Sequence, residues 1–95
     1  MRLTQQEQQI ICDSIYRFDA DARILLFGSR ADDDLRGGDI DLFILSEQIG
    51  FDDIWPIRRD ILDQIGWQKL DLIVENERDG LSAIGRLALE TGEWL

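Results

Sequence analysis

The chain has 95 residues, and 20 Asp+Glu against 10 Lys+Arg give it a formal charge of −10 at pH 7. That length fits a single domain spanning residues 1–95; its 44% apolar content builds a core, although so short a chain buries only about 60–65% of its unfolded surface and leaves room for a partner or a homodimer interface. The absence of histidine excludes Ser-His-Asp and Cys-His triads and imidazole zinc sites, and the acidic balance, with Lys69 the single lysine, speaks against unaided affinity for nucleic acid.

Leu3 followed by Thr4-Gln5-Gln6-Glu7 has the form of a capping box, so a first helix is expected from about residue 5 to 20. Its apolar residues Ile10, Ile11, Ile15 and Phe18 recur at helical spacing and mark one buried stripe. Cys12, the one cysteine, lies beside that stripe and reads as inert core; it has no partner for a disulfide, which points to a reducing compartment. Ala22 to Phe27 is a short apolar run closed by Gly28-Ser29 and reads as a buried strand. Residues 30–38 are polar and must turn back, because Asp39 to Leu45 is again strand-like. Asp52 or Asp53 caps a second helix ending near Ile65, with Pro56 in the tolerated first turn and Gly66 as the stop. A third strand runs from Trp67 to Val74. A last helix, roughly 80–91, carries Leu81, Ile84, Leu87 and Ala88 on one face and ends at Gly92.

The order α-β-(short α)-β-α-β-α predicts an α+β fold with a small three-stranded mixed sheet and helices packed against it. No apolar run reaches the roughly 18 residues of a membrane span, and the opening dozen residues are too polar for a signal peptide, so the expected location is the cytoplasm.

Asp39 and Asp41 are out of place in an apolar strand. Residues i and i+2 of a strand point the same way, so both carboxylates project from one face while Ile40 and Leu42 face the other. Two such charges repel unless a cation bridges them. Asp71 repeats the pattern between Leu70 and Leu72, and it joins the first two if strands two and three pair. Three carboxylates of this kind suit Mg²⁺. Upstream, the Gly28 backbone and the Ser29 hydroxyl can approach phosphate oxygens, with Arg30 able to add a charge-assisted bond.

Gly28-Ser29, nine intervening residues, then Asp39-Ile40-Asp41-Leu42 resembles the signature of the DNA polymerase β-type nucleotidyltransferases. Length and the Gly-Ser-Arg start look most like the minimal nucleotidyltransferases paired with an all-helical HEPN protein in toxin-antitoxin systems. The resemblance covers roughly residues 22–74. It implies the nucleotidyltransferase fold, ATP as donor, and two Mg²⁺ ions held by Asp39, Asp41 and Asp71. Gly28, Ser29 and Arg30 would bind the nucleotide, and Asp71 would assist the nucleophile. It further implies transfer of AMP to a hydroxyl, a tyrosine of the HEPN toxin, as an antitoxin activity. Unlike many minimal members, this chain has Asp32-Asp33-Asp34 after Ala31 and Gly38 before Asp39.

Plainer readings stand beside these. Asp39 and Asp41 can lie on the wet face of an edge strand, Gly28-Ser29 can be a turn and helix cap, and Arg30 can pair with nearby acids. Asp32-Asp33-Asp34 reads as a solvated loop; an EF-hand is excluded because Arg36 stands where a ligand belongs and Phe43 where the closing Glu is needed. Trp55, Trp67 and Trp94 are expected as core or interface anchors. Two other functions remain open: a non-catalytic partner-binding module that keeps the fold, and a subunit of a small-molecule, aminoglycoside-type adenylyltransferase.

Overall fold

The computed structural model describes residues 3–28 and 40–95. Thr4 and Glu7 form the capping box in full: the Glu7 N–H donates to Thr4 Oγ1 at 3.0 Å and the Thr4 N–H to Glu7 Oε1 at 2.9 Å. The helix α1 (Gln5–Tyr16) that follows buries Ile11, Cys12, Ser14 and Ile15. It stops four residues short of the expected end because Asp19 draws the chain into a turn. Its carboxylate accepts from the Asp21 N–H at 2.9 Å and from Ser46 Oγ at 2.6 Å. Ser46 Oγ in turn accepts from the Gln48 and Ile49 N–H groups, so one buried pair shapes the start of the first strand and the exit of the second.

Strands β1 (Arg23–Phe27) and β2 (Ile40–Leu45) pair antiparallel, and β3 (Leu70–Glu75) joins β2 in parallel. Parallel neighbours need a crossover, supplied by α2 (Ile54–Ile65). A 3₁₀ turn, Phe51–Asp53, leads into α2, Pro56 sits in its first turn, and Gly66 ends it at φ +89°. After α3 (Ala83–Thr91) the chain adds β4 (Glu93–Trp94), antiparallel to β1. The sheet is therefore mixed and four-stranded, in the order β3-β2-β1-β4. The expected three-stranded count is corrected by one: β4 has two residues and no alternation to announce it.

The sheet has two covered faces. Ile24, Leu26, Ile40, Leu42, Ile44, Leu70 and Leu72 face the main core with Ile11, Ile15, Ile57 and Ile61. Leu25, Phe43 and Leu45 face Ala88 of α3. Of the core and interface readings of the tryptophans only the interface one is left: Trp55 and Trp67, 68% and 82% exposed, are outside the core, and Trp94 is also exposed. Two other expectations about packing are corrected. Trp67 follows the Gly66 turn and precedes the ladder, so the third strand begins at Leu70. In α3 only Gly85 and Ala88 are buried, while Ile84 and Leu87 remain 50% and 53% exposed, because this short helix covers the sheet with its small residues. Among the described residues no helix is long and apolar enough to cross a membrane.

Candidate active site

The rows across the α3 side of the sheet follow from register and alternation. Phe27 partners Asp41, which partners Asp71; the next row is Leu25, Phe43 and Ile73; the third is Arg23, Leu45 and Glu75. α3 packs on the second and third rows. It docks there because Gly85 has no side chain: a Cβ would lie 2.9 Å from Phe43 Cζ and 2.8 Å from Glu75 Oε1. Glu75 fixes the start of the helix, accepting from the Ser82 N–H at 2.9 Å and from its hydroxyl, while Ser82 Oγ caps Gly85 N–H at 3.0 Å. The first row carries the half-buried carboxylates Asp41 and Asp71.

Gly28 closes β1 beside them with φ +74°, a left-handed conformation that favours glycine. A Cβ there would overlap Asp41 Oδ2 and lie 3.1 Å from Asp41 Cγ. The glycine thus serves the carboxylate as well as the turn. Of the sequence-predicted site residues, the structure brings together Gly28, Asp41 and Asp71; Ser29, Arg30 and Asp39, with the acidic run Asp32-Asp33-Asp34, lie outside the described residues. Sequence reasoning missed Gly85, Ser82 and Glu75, which hold α3 next to the carboxylate row. An interior glycine in a helical pattern is the signal that could have found them, since it marks a close approach.

The donor set fits a hard divalent cation. Register partners on neighbouring strands are about 4.8 Å apart, so Asp41 and Asp71 set two negative groups side by side, an arrangement that a shared cation stabilises. Among the described residues no group of three or more His, Cys, Asp or Glu side chains could hold a metal ion; Asp39, the third ligand expected from sequence, is outside them. A polar cavity of about 450 Å³ lies at the opposite end of the strands, between Arg23, Ser46, Glu47 and Arg78. Most of the side chains around it are engaged with one another: Arg78 with Glu47, Arg23 with Glu77 at 3.3 Å, and Asp19 with Ser46.

Elsewhere, burial raises the Cys12 thiol above its ordinary value of 9.0, helped by the nearby Asp13 charge. The thiol is neutral near pH 7 and has no nucleophilic part to play.

The strand-end glycine, the paired carboxylates and the mixed sheet agree with the comparison to known families. The nucleotidyltransferase domain model matches residues 9–83, and the chain belongs to that family. No curated protein matches it. Family membership makes nucleotidyl transfer its general chemistry.

Proposed function

We propose that this chain is a metal-dependent nucleotidyltransferase that moves AMP from ATP onto a hydroxyl. In this reading the acceptor is a tyrosine of an all-helical HEPN partner, the role is that of an antitoxin, and the setting is cytoplasmic. The observation that carries the chemistry is the pairing of Asp41 with Asp71 beside Gly28. Donor, acceptor and partner are supported by the resemblance of Gly28-Ser29-Arg30 and Asp39-Ile40-Asp41 to the minimal nucleotidyltransferases.

Asp39, Asp41 and Asp71 would hold two Mg²⁺ ions, and the Gly28 backbone, Ser29 hydroxyl and Arg30 guanidinium would grip the triphosphate. Bound Mg²⁺ would neutralise phosphate charge and acidify the attacking hydroxyl. Asp71 takes the hydroxyl proton. The acceptor oxygen bonds to the α-phosphorus as the bond to the bridging oxygen of the β-phosphate breaks, and pyrophosphate leaves. No histidine is required, in keeping with the composition.

The test adds α-labelled ATP and Mg²⁺ to the chain co-purified with its partner, alongside Asp39→Ala and Asp41→Asn. Label is expected on the partner band, falling by about two orders of magnitude in either variant. Undiminished label in both variants would sink the mechanism. Bound ATP with no label in the unaltered protein would favour the non-catalytic binding module, and label on an added aminoglycoside the small-molecule enzyme.

A further inference from the structure

The outer edge of β3 is a row of backbone groups left open by the ladder. The Ile40 N–H donates to the Lys69 carbonyl and the Ser46 N–H to the Glu75 carbonyl. With the parallel register of Ile40 on Leu70, residues 69, 71, 73 and 75 therefore bond inward to β2, and Leu70, Leu72 and Val74 turn their N–H and C=O groups outward. One of these groups is already engaged by a side chain: Arg58 Nε donates to the Leu70 carbonyl at 3.1 Å. That bond also ties the edge to α2, where the Arg58 guanidinium lies 4.9 Å from the Trp55 ring centroid. Trp55, Pro56, Arg58, Arg59 and Leu62 line a groove of about 600 Å³ on that helix. On the opposite face of the sheet the edge strand presents Asp71, Ile73 and Glu75 in alternation, all half-buried.

We propose that the β3 edge accepts an extended segment of a basic partner protein as a fifth strand. Outward backbone groups at Leu72 and Val74 are placed to pair with an added strand. The two faces then fix its pattern. The side chain opposite Asp71 is Lys or Arg; Glu75, whose carboxylate is bonded to Ser82, adds a weaker attraction for a second one, and the residue opposite Ile73 is apolar. The alternate side chains are apolar and rest against the groove along Trp55 and Leu62. A second copy of the chain fits poorly, because its own β3 would set acid against acid and its charge is also −10. Docking of this kind brings a partner segment alongside the carboxylate row, yet it requires neither nucleotide nor metal, so it goes beyond the transfer reaction and stands or falls separately.

The experiment uses the peptide acetyl-Lys-Leu-Val-Leu-Arg-amide as probe, without ATP or divalent cation. Binding is followed by Trp fluorescence and by amide hydrogen exchange. Bound peptide is expected to slow exchange at Leu72 and Val74 by about tenfold or more, with Asp71, Ile73 and Glu75, already bonded to β2, little changed. The same peptide N-methylated at every residue, and one with Asp replacing Lys and Arg, are expected to lose the effect. Val74→Pro removes one outward N–H and leaves the β2 ladder intact, as edge strands tolerate; affinity is expected to drop about tenfold. Trp55→Ala, at an exposed position that folding does not need, is expected to weaken binding through the groove and decides the matter if Val74→Pro does not fold. Equal binding of the N-methylated peptide, unaltered affinity in folded Val74→Pro and in Trp55→Ala, or protection confined to α3 would each overturn the proposal.

Discussion

Gly28 is a position where conformation and function demand the same residue. Its φ of +74° already penalises any side chain, and the space a Cβ would take belongs to the Asp41 carboxylate. Gly28→Ala is expected to cost about 1–3 kcal/mol of stability and to reduce nucleotidyl transfer more than that loss alone explains. A melting curve and a transfer assay on the same sample check it; full activity in a folded variant would show that the carboxylate does not need its observed place. Cys12 carries a different prediction. Burial raises its thiol above 9.0 in the folded chain, while the unfolded chain ionises near the ordinary value. The stabilisation is complete below that value and is lost as pH rises through the higher folded one. Tyr16, also raised by burial from 10.0, adds to the same trend. Stability measured by urea denaturation is expected to fall above about pH 9, less steeply in Cys12→Ala.

At the scale of elements, α3 is held by a few small contacts rather than by a broad apolar face. Gly85 lets it approach Phe43, and Ser82 with Glu75 anchors its first turn. Ser82→Ala is expected to cost about 1 kcal/mol as a lost cap, and Gly85→Ala about 1–3 kcal/mol as overpacking, despite alanine being the better helix former. If Gly85→Ala raises the melting temperature, the close approach to Phe43 is not maintained in solution. The same helix shows where sequence was legible and where it was not. Its existence, and that of α1, α2 and the first three strands, followed from periodicity, caps and glycine stops. The face it buries followed only in part: Ala88 is buried as expected, but Ile84 and Leu87 fit a helical stripe as well as Gly85 does, and only the sheet decides which of them meets it. The Asp41–Asp71 pairing was legible as a condition, that strands two and three be neighbours, which the register fulfils. β4 and the exposure of Trp67 depend on tertiary placement that a single sequence does not encode in a local pattern.

The molecule as a whole carries ten more negative than positive charges, and that excess links fold stability to the ionic medium. Self-repulsion within a compact acidic chain weakens as salt screens it, so added NaCl is expected to raise the melting temperature modestly and then level off. A specific divalent site behaves differently. A cation that binds only the folded chain stabilises it by mass action, by about 1.4 kcal/mol at ten times its dissociation constant. For a domain of this size that corresponds to about 5–10 °C. The check is a thermal melt in MgCl₂ against NaCl of matched ionic strength, repeated with Asp41→Asn and Asp71→Asn. Screening is common to all of these samples, so the increment above NaCl isolates binding. Asp71→Asn also removes one member of a like-charged pair, so that variant is expected to melt at or above the unaltered protein without magnesium, and both variants are expected to gain little from magnesium. An increment that survives both substitutions would assign the magnesium effect to the general acidic surface and detach it from the carboxylate row.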